Sequence, residues 1–175
     1  HVMDNVVMVD AGLSRYAALK EDGSVWVWGA DGYGGDGKMI LYNGDAPLPL
    51  TKLLDGMISV GMEGESGWAI DQEGGLWTWG VNDNGEVGNG MAYDTVTPWS
   101  EGVGQSTPVK IIDRDVISAE RGAAVLKSGD LYTWGITEEG GDTVSSYGFH
   151  VQSFPIKTGE DTVIANTALC SDGSL

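Results

Sequence analysis

Ala18-Leu19-Lys20-Glu21-Asp22-Gly23-Ser24-Val25-Trp26-Val27-Trp28-Gly29 is the stretch that decides the fold. A short apolar segment enters an Asp-Gly turn and leaves as an aromatic strand. Asp-Gly between two apolar runs is a strong hairpin signal, because Gly supplies the positive φ that a tight turn needs. Trp26 and Trp28 are two apart, so they project from one face of their strand. The phrase then returns. Trp77-Thr78-Trp79-Gly80 follows the turn Gln72-Glu73-Gly74-Gly75, and Tyr132-Thr133-Trp134-Gly135 follows Lys127-Ser128-Gly129-Asp130. Successive Trp-Gly pairs lie 51 and 55 residues apart. A fourth turn, Ser171-Asp172-Gly173-Ser174, stands where another aromatic strand is due.

Each copy is preceded by two short apolar segments. The first of these are Val6-Val7-Met8-Val9, Met57-Ile58-Ser59-Val60, Val116-Ile117-Ser118-Ala119 and Thr162-Val163-Ile164-Ala165. One unit therefore reads as strand, short loop, strand, turn, aromatic strand, Gly-rich loop. No segment carries a sustained helical period with caps at both ends, so the chain is expected to be all-β. Units of about 50 residues built from short antiparallel strands point to propeller blades, each covered by its neighbour. The expected organisation is an N-terminal extension or tag remnant over 1–5 and a single repeat domain over 6–175. Its blades fall at about 6–56, 57–114 and 115–161, with a half-blade at 162–175.

The chain has 175 residues, with 9 Lys and Arg against 26 Asp and Glu, for a formal net charge of −17. That balance argues against a nucleic-acid backbone binder and against an anionic membrane surface. One Cys allows no internal disulfide and no multi-cysteine zinc site. No apolar run approaches the roughly 20 residues of a membrane helix, and no signal peptide is visible.

The unit resembles the regulator of chromosome condensation repeat. The residues that carry the resemblance are Val9-Asp10-Ala11-Gly12, then Ala18-Leu19 through Asp22-Gly23 to Trp28-Gly29. Asn82 followed by Gly85-Glu86-Val87-Gly88-Asn89-Gly90 matches the loop that follows Trp-Gly in the family. Gly32-Tyr33-Gly34-Gly35-Asp36-Gly37 matches more loosely, and Glu139-Gly140-Gly141-Asp142 is degraded. Pro49, Pro108 and Pro155 stand where the family passes into the next blade. The resemblance covers roughly residues 6–175 and implies a seven-bladed propeller, of which about three and a half repeats are present: a half or a fragment of the ring. Where many members carry a His before the Ala-Leu pair, this chain has Arg15, Ser66 and Gly122. The founding member is a chromatin-bound nucleotide exchange factor for a small GTPase, but its basic tail has no counterpart here.

Few residues invite chemistry. His150 stands alone in a loop beside Phe149, without the carboxylate and nucleophile that catalysis would need. Cys170 reads as a small apolar core residue in an acidic setting. Oxygen-rich loops suggest calcium candidates at Asp31, Asp36, Asn82, Asp83 and Asn84, although a Gly- and Asn-rich turn explains the same residues by backbone needs. Tyr93 and Trp99 lie in an insertion outside the repeat and suggest a contact patch for a protein or a glycan.

The expected function is a non-catalytic scaffold, without cofactor, that binds a protein partner. The acidic surface suits a basic one, with neither nucleic acid nor membrane insertion involved. A homodimer completing the ring is a further expectation, since seven units of about 51 residues come close to twice this chain. The alternative is an extracellular or cell-surface bacterial module binding glycan or calcium. Nucleotide exchange on a small GTPase ranks third.

Overall fold

The computed structural model describes residues 1–29, 48–92, 104–138, 140–144, 149–159, 162–164 and 169–170. Its described elements are all β. Strands β1 (Val6–Ala11), β2 (Arg15–Lys20), β3 (Val25–Gly29) and β4 (Leu48–Leu54) form one antiparallel sheet in chain order. Strands β5 (Met57–Glu63), β6 (Ser66–Asp71), β7 (Leu76–Val81) and β8 (Gly104–Ile112) repeat it. The third sheet holds β9 (Val116–Glu120), β10 (Ala123–Leu126), β11 (Leu131–Thr137) and β13 (His150–Gly159). A two-residue strand β12 (Thr143–Val144) sits on its outer edge. Strands β14 (Thr162–Ile164) and β15 (Leu169–Cys170) pair as the start of a further unit. These are propeller blades.

Two corrections to the sequence reading concern the outer strand. The repeat was read as three strands, but each sheet has a fourth, β4, β8 or β13, that returns after the Gly-rich loop. Pro49, Pro108 and Pro155 lie inside these fourth strands and not at the passage to the next blade. The physics is simple: an outer strand has a row of N–H groups without ladder partners, so Pro loses nothing there.

The core lies between blades. Ala17, Leu19, Val25 and Val27 of the first sheet meet Met57, Val60, Met62, Ala69 and Trp79 of the second. Ile70 and Leu76 of the second meet Val116, Ala119, Ala124 and Trp134 of the third. The aromatic face of a blade thus packs on the blade before it, as Trp79 and Trp134 do in the second and third blades. Its opposite face, Val25 and Val27 or Leu76, packs on the blade after. Full burial of such side chains contributes about 1.5–3 kcal/mol each. It also explains why consecutive residues of these strands are apolar on both faces.

Hydrogen bonds repeat with the blades. The carbonyl of Gly23, in the β2–β3 turn, accepts from Met57 N at 2.9 Å, and that of Gly74, in the β6–β7 turn, accepts from Val116 N at 3.0 Å. Each hairpin turn therefore fixes the first residue of the following blade. Asp10 adds a side-chain clip, its Oδ2 accepting from Met62 N at 2.9 Å.

Candidate functional site

The strand order sends the β1–β2, β5–β6 and β9–β10 hairpin tips, and the ends of β3, β7 and β11, to one side of the blades. The site is built where the loop after β7 meets the third blade. Asn82 organises this loop from within and is fully buried. Its Oδ1 accepts from Val87 N at 2.9 Å, and its Nδ2 donates to Met91 O at 2.8 Å and to Asn89 Oδ1 at 3.1 Å. Val87 is buried behind it, and its carbonyl accepts from Thr78 Oγ1 at 2.7 Å.

So organised, the loop latches onto the next blade. Trp134 Nε1 donates to Glu86 O at 2.8 Å, and Gly90 N donates to Ser153 O at 2.9 Å. Gly88, at φ +72°, lies against the Trp134 indole so closely that a Cβ would collide with the ring. The Gly-rich phrase is thus a blade-to-blade latch. Ser66 and Arg15 occupy matching positions, and both donate to backbone carbonyls, one at the end of β7 and one in the β5–β6 hairpin tip. Ser66 Oγ reaches Val81 O at 2.8 Å, and Arg15 Nη1 reaches Glu65 O at 3.1 Å.

Over this latch a cleft of about 280 Å³ opens, lined by Asn84, Glu86, Arg121, Trp134 and Ile136, with Gly122 and Gly135 beneath. Glu86 is held by Asn84: Oε2 accepts from Asn84 N at 2.8 Å and Oε1 from Asn84 Nδ2 at 2.9 Å. That contact fixes the amide, because the reverse orientation would set Oδ1 against a carboxylate. Asn84 Oδ1 is left buried without a hydrogen-bond partner. Arg121 leans away onto Glu63, at 3.2 Å. Glu120 lies beside Arg121 and Glu86 at a small adjoining cavity. Burial, then the charges of Glu86 and Glu65, raises the Asp83 carboxyl above its ordinary value. Asp83, Glu86 and Glu65 thus stand close enough to feel one another's charge.

Of the sequence candidates, Asn84 lines the cleft, and Asp83 lies next to it within reach of the charges of Glu86 and Glu65. Asn82 spends its amide inside the loop. Asp31, Asp36, Tyr93 and Trp99 lie outside the described residues, as does the side chain of Cys170. Among the described residues no three His, Cys, Asp or Glu side chains converge as a metal site. His150 is exposed at the start of β13, away from the cleft lining. Sequence reasoning missed Glu86, Arg121 and Ile136. Glu86 was quoted only as a loop letter, and Arg121 and Ile136 are joined to it by tertiary contact alone.

Comparison with known proteins agrees with this architecture. The family model for the regulator of chromosome condensation (RCC1) repeat matches residues 6–34. The chain is 31% identical over 132 residues to the ultraviolet-B receptor UVR8 of Arabidopsis thaliana, covering 74% of this chain and 29% of the receptor. It is 28% identical over 144 residues to the E3 ubiquitin-protein ligase HERC2 of Mus musculus, covering 75% of this chain and 3% of the ligase. Among solved structures, Prp20p of Saccharomyces cerevisiae superposes with a TM-score of 0.61 at 20% identity, over 87% of this chain and 38% of its own. Human WBSCR16 does so with a TM-score of 0.60 at 22% identity, over 89% and 38%. The chain thus spans less than a third of UVR8 and well under half of the solved propellers. Its repeats are of the RCC1 type, and its fold is part of an RCC1 propeller.

Proposed function

We propose that this run of RCC1-type blades is a non-catalytic scaffold that binds a basic protein partner on its hairpin-tip face. One observation carries the reading. Glu63, Glu65, Asp83, Glu86 and Glu120 gather around the cleft against two cations, Arg121, which is already paired with Glu63, and the buried Arg15, which donates to the Glu65 carbonyl. Such a surplus speeds encounter with a cationic surface and selects against acidic ones. Titration of a fluorescein-labelled hexa-arginine peptide tests it. Binding is expected at low salt and should weaken steeply as salt rises. Glu65→Lys combined with Glu120→Lys should abolish it. Binding that ignores both salt and charge reversal contradicts the reading.

A second reading, self-association, is favoured by the uncovered face of the first blade. Val9 is 66% and Tyr16 42% exposed, and Tyr16 stacks on Trp28 with ring centroids 5.5 Å apart. The corresponding Trp79 and Trp134 are 2% and 5% exposed because a preceding blade covers them. We propose a second copy of the chain as the partner for this face.

A further inference from the structure

We propose that the open face of the first blade closes on the same face of a second copy about a twofold axis, with the Tyr16–Trp28 stacks of the two chains in contact at its centre. The inference rests on the reading of self-association through this face and names its arrangement. The covered blades show what is different here. Gly67 stands opposite Trp79 across the β6–β7 ladder, and a Cβ there would fall 2.5 Å from the indole ring and 2.7 Å from Met62 Sδ. The Trp79 ring therefore lies over a glycine, close against its sheet, and the first blade packs on it. In the third blade Gly122 stands opposite Trp134, whose N–H donates to its carbonyl at 2.9 Å. The first blade has Tyr16 at this place, opposite Trp28. A tyrosine cannot sit beneath an indole that lies so close, and the two rings stack instead, centroids 5.5 Å apart and planes 17° from parallel. The face thus ends in two aromatic rings, with Tyr16 half-exposed and Val9 exposed on the same side of the sheet.

Charge and symmetry select the occupant. The chain carries a formal net charge of −17, so two copies repel and meet most favourably where carboxylates are absent. Val9, Ala11, Tyr16 and Trp28 bear no charge. Asp10, between Val9 and Ala11, turns its carboxylate to Met62 of the second blade. A twofold sets this neutral surface against itself, whereas a head-to-tail contact would set it against a different part of an acidic chain. A blade placed here as the first is placed on the second would meet two stacked rings in place of an indole lying over glycine. Tyr and Trp bury a large area with few torsions to freeze, and aromatic pairs formed across the axis add to that gain.

The test joins light scattering across concentration to photo-oxidative dityrosine cross-linking, with the wild-type chain, Tyr16→Phe and Tyr16→Ala. Tyr16→Phe keeps the stacked ring and loses the phenol; Tyr16→Ala removes the ring at an exposed position, and an unchanged thermal melt confirms that it folds. The wild type is expected to reach twice the monomer mass and stop, and to yield a cross-linked peptide that carries residue 16 from both copies. Tyr16→Phe should associate within about twofold of the wild type without that link, and Tyr16→Ala should associate about tenfold more weakly or worse. A mass that climbs past two copies, Tyr16→Ala that associates as tightly as the wild type, or an associated wild type without the link between the two Tyr16 side chains overturns the twofold stack; a second copy on this face then still stands if Val9→Lys is monomeric. A wild type that stays monomeric at every concentration overturns both.

Discussion

Asp71 shows how one carboxylate holds a hairpin, a tryptophan and an outer strand together. Its Oδ1 accepts from the backbone N–H groups of Glu73 and Gly75, and its Oδ2 accepts from Trp77 Nε1 and pairs with Lys110 at 2.8 Å. Lys110 also lies over the Trp77 ring. Partial burial pushes the Asp71 carboxyl up. Lys110, Trp77 and Gly75 more than reverse that and hold it at about 2, against an ordinary 3.8. A depressed carboxyl contributes stability that is complete above its unfolded value and is lost as pH falls through the folded one. Asp71→Asn should therefore be less stable than the wild type at pH 7 by about 1 kcal/mol, allowing for solvent screening. The two stability curves should converge between pH 3.8 and about 2, as read by urea unfolding across pH. A constant gap down to pH 2 would contradict this assignment. In the sequence, Asp71 is one more acid before a turn. Nothing local announces Lys110, which arrives from the fourth strand.

At the scale of the element, the Trp-Gly pair joins a packing role to a backbone one. The Trp covers the preceding blade, and the Gly turns the chain where no side chain fits. Gly80 sits at φ +105°, and a Cβ there would strike the Glu65 carbonyl; Gly29 repeats this at φ +129° against Ser14. Gly80→Ala should cost about 3 kcal/mol, near the upper end of what a strained backbone position stores, and a thermal melt will show it. An unchanged melting temperature would mean that the hairpin tip yields freely. These strands were legible in the sequence because aromatic residues, Asp-Gly turns and Trp-Gly pairs recur in one order. The fourth strands were not. Leu48-Pro49-Leu50 and Thr107-Pro108-Val109 carry the residue that usually argues against a strand, and only the outer edge of a blade excuses it. The Gly-rich loop was legible as a loop but not as a latch, since its partner Trp134 lies 48 residues beyond Glu86.

At the scale of the molecule, blades are stabilised through their neighbours, and the proposed self-association through the open face of the first blade can be tested on this chain as it stands. Light scattering of this chain should show a molar mass that rises with concentration. Val9→Lys, which sets a charge in the exposed face, should hold it at the monomer value. A monomer at all concentrations would contradict a second copy as the cover of that face. The site itself was only partly legible: Asp83 and Asn84 stood in a quoted loop, but the cleft exists because two blades meet. The proposed docking puts a basic partner on the hairpin-tip face and not on the opposite face, where the Asp22, Glu73 and Asp130 turns lie. Hydrogen–deuterium exchange with and without hexa-arginine decides between the faces. Slowed exchange confined to residues 63–66, 82–90 and 120–122 is the predicted result. Slowed exchange at residues 21–24, 72–75 and 127–130 instead would contradict the account.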